Sequence, residues 1–279
     1  NAETYAIFAS KITYNLTITH RQSQYKPNNM NRFTTSLITA TLLAGATAAS
    51  GQETSRPSMA YGIRVYSTTA STGRLVSFPV DNPSEEEELF DLSDYNITAA
   101  TCHDNVYYII HSDDGVLASK FLTLDMNTMT TKEVKTYDWK FDLAGNIIYS
   151  DITYDPTSGQ IYAAGYNMNE AELEEGEVNA PFGIFTIDPA TGDATLVGQQ
   201  EEHMLVSLMA DANGSLIGVD ENGMLWEVSK WGGYLNYELL DMEITPLGVQ
   251  SMAHDFGKGV SYWASYTADN RGNGISKLI

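Results

Sequence analysis

The feature that most constrains this chain is an Asp-led turn that returns at long, nearly regular intervals. Ile152-Thr-Tyr-Asp155-Pro-Thr-Ser-Gly159-Gln-Ile-Tyr162, Leu208-Met-Ala-Asp211-Ala-Asn-Gly214-Ser-Leu-Ile217 and Met252-Ala-His-Asp255-Phe-Gly-Lys-Gly259-Val-Ser-Tyr262 share one plan. Ala100-Thr-Cys-His103-Asp104-Asn105-Val-Tyr-Tyr108 is a looser fourth copy. Each copy is a short apolar strand, a turn opened by Asp and usually closed by Gly, and a second strand rich in β-branched and aromatic residues. The turn aspartates at 104, 155, 211 and 255 stand 51, 56 and 44 residues apart. That interval suits a unit of four antiparallel strands, each unit burying its faces only against its neighbours. A β-sandwich would not repeat the turn at this interval, and a parallel β-helix would repeat far sooner. The sequence therefore reads as all-β, a β-propeller of four-stranded antiparallel blades over 59–279. About 4.5 blades are present, with the array incomplete at the C-terminus because no capping element closes it.

The strands follow from period-2 alternation between turn signals spaced 8 to 12 residues apart, a rhythm that excludes a mostly helical fold. The first unit is expected at 61–67, 74–80 and 88–92, and the second at 97–102, 106–111, 120–125 and 130–136. The third is expected at 148–154, 160–166, 182–188 and 193–197, and the fourth at 206–210, 215–219, 224–228 and 234–240. The fifth begins at 250–254 and 260–265 and stops within 275–279. In Asp155-Pro-Thr-Ser-Gly159 and Asp188-Pro-Ala-Thr-Gly192, Pro suits the second position of a type I turn. Asp caps that turn from its first position, and Gly takes the left-handed residue that ends it. Asp211-Ala-Asn-Gly214 and Asp220-Glu-Asn-Gly223 are shorter versions of the same hairpin.

Residues ahead of the repeats follow a different logic. Met30-Asn-Arg32 opens a short apolar run, Leu37-Ile-Thr-Ala-Thr-Leu-Leu-Ala44, which ends at Ala46-Thr-Ala48-Ala49. A basic start, a run too short to span a bilayer and an A-x-A site are the parts of a secretory signal peptide, expected at 30–49. Residues 1–29 then read as upstream read-through, and 50–58 as a linker. Four of the 15 Lys and Arg and one of the 36 acids lie before residue 52, which leaves 11 bases against 35 acids and a net charge of −24. Such a surface repels phosphate backbones and anionic lipid, so neither nucleic acid nor membrane is an expected partner. Cys102 is the only cysteine, so no internal disulfide forms, and its apolar strand marks it as a buried, inert thiol.

The best-formed copies, Ile184-Phe-Thr-Ile-Asp188-Pro-Ala-Thr-Gly192-Asp-Ala-Thr-Leu-Val-Gly198 and Tyr154-Asp-Pro-Thr-Ser-Gly159-Gln-Ile-Tyr162, resemble the secreted bacterial β-propeller repeats of the YVTN, NHL and quinoprotein-like families. The resemblance spans 59–279 and implies the scaffold alone, since enzymes, adhesins and binding modules share such blades.

Chemistry is sparse. No G-x-S-x-G elbow, P-loop or dinucleotide fingerprint is present, so no cofactor is expected. His103, His111, His203 and His254 show no local ligand spacing, so no metal motif is read from them. His103 and His254 sit beside turn aspartates and read as structural. The acid-rich stretches at 85–88 and 169–177 read as solvated loops.

The site expectation rests on the repeat. Inner strands line the central channel, where Asp151, Ser207 and Gln250 enter with Asn96, and adjoining loops bring Trp139, His111, Asp113, Asn167 and Tyr266. Such a set suits a glycan or peptide ligand held by a few polar groups and a stacked ring. The expected function is an exported binding module at a bacterial cell envelope, secreted or periplasmic, with further domains of the same polypeptide as candidate neighbours. A propeller-type polysaccharide hydrolase or lyase and a scaffold segment of a larger surface protein are the alternatives, and catalysis is the less expected.

Overall fold

Five antiparallel sheets account for all nineteen strands in the computed structural model, which describes residues 37–41, 59–66, 71–138, 140–167, 182–200, 202–232, 235–247, 250–268 and 274–279 of the chain. The first blade is β1 (Leu37–Thr41), β2 (Met59–Tyr66), β3 (Arg74–Pro79) and β4 (Glu87–Asp91). The second is β5 (Ile97–His103), β6 (Val106–His111), β7 (Lys120–Asp125) and β8 (Thr130–Thr136). The third is β9 (Ile147–Asp155), β10 (Gln160–Asn167), β11 (Phe182–Ile187) and β12 (Ala194–Gln200). The fourth is β13 (Leu205–Ala210), β14 (Leu216–Asp220), β15 (Met224–Val228) and β16 (Leu235–Asp241). The fifth has three strands, β17 (Ser251–Asp255), β18 (Val260–Ala268) and β19 (Gly274–Leu278). The inner strands β1, β5, β9, β13 and β17 adjoin one another in a closed ring, with β1 against β17. This is a five-bladed β-propeller whose last blade lacks a fourth strand.

Burial runs from the axis outward and explains the composition of each strand. Every residue of β13 is buried, whereas β16, the outermost strand of the same blade, is exposed along nearly all its length. Inner strands are therefore buried on both faces, and outer ones carry exposed Thr, Lys and Glu. Between blades 2 and 3, Ile110, Phe121, Ile147, Ile152, Ile161 and Phe185 form one contiguous apolar layer. Removing such side chains from water contributes roughly 25 cal/mol per Å² of apolar surface and holds neighbouring blades together.

The Asp-led turns form as the sequence implies. Asp155 Oδ1 accepts from the Thr157 N–H at 2.9 Å, and Asp188 Oδ1 from the Ala190 N–H at 2.7 Å. Gly159 and Gly192 close these turns at φ of 70° and 75°, in the left-handed region that favours glycine. The fourth copy differs. His103 pairs with Val106, leaving only Asp104 and Asn105 in the turn, both with positive φ. Asp104 is therefore not the repeat-mate of Asp155. It belongs to a two-residue turn in which Asp and Asn tolerate the left-handed conformation.

Two further departures concern blade 1. The acids at 85–88 do not form a solvated loop. Glu87 and Glu88 belong to β4, and Glu86 and Glu88 grip the Arg64 guanidinium, which is 1% exposed in β2, at 2.5 and 2.7 Å. Their charge neutralises a buried cation. Leu37–Thr41, inside the stretch read as an export signal, is strand β1, paired with β2 through Thr39↔Ile63 and Thr41↔Tyr61. In a chain cleaved after residue 48 that inner position would fall to another strand or leave the β2 edge open. The acidic stretch at 169–177 lies outside the described residues.

Candidate functional site

Antiparallel order sorts the connections between the two faces of the propeller. The turns inside the first and last hairpins of each blade lie on one face, among them 155–159, 188–192 and 211–214. Connections between blades, and between the second and third strands of a blade, lie on the other. Those connections vary in length, from the tight turn after β14 to the long segment after β10, and variable loops on a rigid scaffold are where binding concentrates.

Near the axis the polar residues expected to line a channel are buried among the inner strands. Asp151 stands four residues before the turn Asp of β9, the position held by Ser207 in β13 and Ser251 in β17. It is 2% exposed. Its Oδ1 accepts from the Ile152 N–H at 2.9 Å, and its Oδ2 from the Leu208 and Met252 N–H groups at 3.0 and 3.3 Å. One carboxylate thus ties together the inner strands of three blades. Each inner strand is a sheet edge, and its N–H groups must find acceptors away from water. Thr101 and Thr153 do the same work, accepting from the Tyr154 and Ala210 N–H groups at 3.1 and 3.0 Å. Burial pushes the Asp151 carboxyl well above the usual carboxylate range, opposed by the three N–H donors.

Ser207 and Gln250 are buried as well, and the Gln250 Nε2 donates to the Tyr266 carbonyl at 2.5 Å. Tyr266 is also buried. Asn167 ends β10 at the loop face opposite Ile147, its side chain lying outside the described residues, as does Trp139 altogether.

His111, Asp113 and Asn96 come together in a surface cleft of about 420 Å³ between blades 1 and 2. Thr72, Ser93, Asp94 and Tyr95 complete most of its polar wall. The His111 Nδ1 lies 2.9 Å from the Asn96 N–H, and its Nε2 lies 2.9 Å from Asp113 Oδ1. A neutral ring protonated at Nε2 satisfies both contacts, accepting from the backbone and donating to the carboxylate. Tyr95 packs edge-on against the imidazole, centroid to centroid 5.8 Å, and stays half-buried at the mouth. His111 is thus a buried strut that aims Asp113, whose own side chain is open to solvent. The pieces come from three stretches, 71–73, 92–96 and 112–119, that the repeat puts on one face.

Blade 4 carries a second group on this face that sequence spacing did not reveal. His203, Asp220 and Glu221 place imidazole and carboxylate atoms within 4.8 Å of one another. They lie 17 residues apart in the chain, so no local motif exists. Their shared feature is position: 203 leads into the first strand of the blade, and 220–221 follow its second.

The other two described histidines sit beside turns on the opposite face. His103 stacks on Tyr154 at 4.1 Å, and the His254 Nδ1 lies 3.0 Å from Ser261 Oγ. Cys102 is buried, with its thiol pushed up by that burial and by Asp104.

No family model matches the chain, and no curated protein matches it significantly. Solved structures do resemble it. A protein of unknown function from Bacteroides thetaiotaomicron is 12% identical with a TM-score of 0.40, the match covering 73% of this chain and 55% of that one. A candidate gluconolactonase is 10% identical with a TM-score of 0.48, covering 79% and 73%. Regucalcin, a calcium-binding protein from Agrobacterium tumefaciens, is 15% identical with a TM-score of 0.44, covering 79% and 69%. These likenesses concern the propeller scaffold alone.

Proposed function

We propose that this chain is a binding module that captures a polar ligand, a sugar unit of a glycan, in the cleft between blades 1 and 2. The observation that carries this reading is the make-up of that cleft. Its volume of about 420 Å³ falls in the range of small-molecule sites, and Thr72, Ser93, Asn96, Asp94 and Asp113 offer hydroxyl, amide and carboxylate groups around one aromatic ring, Tyr95. A sugar presents alternating hydroxyls and an apolar face, which that combination meets. The buried axial residues do not reach such a ligand, so the recognition face narrows to this cleft. A peptide is the other ligand class the face could take, and the same array separates the two.

Glycan and peptide arrays, followed by titration calorimetry on any hit, test the reading. Tyr95→Ala is expected to weaken capture about tenfold or more through lost stacking while leaving thermal unfolding nearly unchanged. Equal affinity in both proteins rejects the cleft, and capture of nothing by the wild type favours the scaffold role. The cleft also holds two carboxylates, Asp94 and Asp113, the pair a glycoside hydrolase would need. Release of reducing sugar, abolished in Asp94→Asn and Asp113→Asn, would mark that second reading.

The reading places the module outside the cytoplasm, supported by the basic start, apolar run and A-x-A site at 30–49. N-terminal sequencing of exported protein is expected to begin at residue 49 or 50. A mature chain retaining Leu37–Thr41 overturns it and leaves β1 as the permanent inner strand of blade 1.

A further inference from the structure

We infer that blade 4 carries a transition-metal site, formed by His203, Asp220 and Glu221 on the loop face and separate from the cleft between blades 1 and 2. The three residues are brought together by the fold rather than by sequence. His203 lies in the connection from β12 to β13, and Asp220 ends β14 with Glu221 opening the turn to β15. Backbone pairing fixes the meeting: the Glu221 N–H donates to the Met204 carbonyl at 2.9 Å, and the Met204 N–H donates to Glu221 Oε2 at 2.6 Å. Among the described residues this is the one group in which three or more such side chains converge.

The geometry is that of ligands awaiting a common centre. His203 Nδ1 stands 3.1 Å from Asp220 Oδ2, yet this shielded nitrogen makes no well-formed hydrogen bond. The two atoms are neighbours whose mutual orientation is not that of a hydrogen bond. Two ligands each about 2.0–2.1 Å from a tetrahedral ion stand roughly 3.3 Å apart, so this edge already has the required length. The outer contacts fit as well. Asp220 is fully buried, with its Oδ1 accepting from the Asn222 and Met224 N–H groups at 2.8 and 2.9 Å and its Oδ2 accepting from Trp226 Nε1 at 3.0 Å. Asn222 Nδ2 donates to Glu221 Oε1 at 3.2 Å. Metal-binding carboxylates are characteristically fixed by such second contacts.

One imidazole and two carboxylates select zinc, cobalt or manganese over calcium, which takes six or more oxygens. Three protein ligands leave a position open to water or to a ligand.

The test uses the whole chain stripped with EDTA and titrated calorimetrically with zinc chloride, and separately with calcium chloride, at physiological ionic strength. Wild type is expected to bind zinc at a single tight site and calcium only weakly. His203→Ala and Glu221→Gln are each expected to lose about 100-fold in zinc affinity while unfolding at the wild-type temperature in EDTA. Equal zinc affinity in the wild type and both variants, or no tight site in the wild type, overturns the inference. Should a variant fail to fold, nitrogen NMR of the wild type decides. A shift of the His203 Nδ1 resonance with one equivalent of zinc supports the site, and an unmoved resonance sinks it.

Discussion

Asp151→Ala is expected to lower the stability of the propeller by about 4 kcal/mol without touching the cleft between blades 1 and 2. The carboxylate accepts the N–H groups of Ile152, Leu208 and Met252 in a place 2% exposed to solvent. Truncation leaves three buried donors unpaired, and each such group costs about 1–3 kcal/mol. Partial entry of water would hold the total near the lower end of that sum. Against a whole-domain stability of about 5–15 kcal/mol, this is a large fraction. Asp151→Asn should cost less, since one acceptor oxygen survives, but its amide N–H must then face a backbone N–H. Urea unfolding of the three proteins measures the series. An alanine variant as stable as wild type would show that Asp151 does not tie the blades, and would return it to the ligand site that sequence reasoning assigned it.

The sign of the pH effect at Asp151 follows from the direction of its shift. Burial raises the folded carboxyl well above the unfolded value of 3.8. The stability it contributes is therefore complete below that value and declines as pH rises through the folded one.

The legible part of this fold was the part fixed by local chemistry. The strands 106–111, 120–125, 130–136 and 224–228 coincide with β6, β7, β8 and β15. Alternation and turn residues set both ends of those strands. Blade 2 shows the limit. His103-Asp104-Asn105 matches the repeat in letters but closes as a two-residue turn, because hairpin length depends on which residues pair across it. The acids at 85–88 show another. Their partner Arg64 lies more than 20 residues away, and no local pattern marks a charge run as the lid of a buried cation.

The polar residues picked out near the inner strands fall into two settings in the fold. His111, Asp113 and Asn96 were found because they flank inner or neighbouring strands, and they do share a cleft. Asp151, Ser207 and Gln250, picked out by the same rule, are buried among the inner strands. A polar residue entering an inner strand can serve a ligand or an orphaned backbone N–H, and the sequence does not distinguish the two. With five blades the inner strands come close enough for the Asp151 side chain of blade 3 to bond backbone N–H groups of blades 4 and 5. His203, Asp220 and Glu221 escaped because ligand spacing was sought along the chain rather than across a blade.

Lys230→Met is expected to destabilise the protein by about 3 kcal/mol at neutral pH and to move acid unfolding to higher pH. Lys230 Nζ lies 2.5 Å from Asp155 Oδ2 and joins the underside of blade 4 to the first turn of blade 3. The Asp155 side chain is 0% exposed and that of Lys230 22% exposed. Gly214 packs over the pair so closely that a Cβ there would meet Thr157, Asp155 and Lys230 at 2.1 to 2.9 Å. Methionine keeps an apolar stem of similar length, so the substitution removes the charge, with its 5.5 Å approach to the Tyr162 ring centre, and little packing. What remains is a buried carboxylate without its cation, and breaking such a pair from one side costs about 3–5 kcal/mol. Asp155→Asn should cost less, because Lys230 can turn its ammonium to water. Burial on its own would raise the Asp155 carboxyl, but Lys230, Ser158 and Thr157 together outweigh it and hold the group below 3.8. A depressed folded value means stability that is present above 3.8 and lost as pH falls through the folded one. Without Lys230 the largest lowering influence is gone, the folded value climbs, and the loss begins at milder acidity. Thermal unfolding followed from neutral pH down to about pH 3 compares both variants with wild type across that window. A methionine variant no less stable than Asp155→Asn, with an unshifted acid limb, would mean that the pair is an ordinary surface contact and does not hold blade 4 to blade 3.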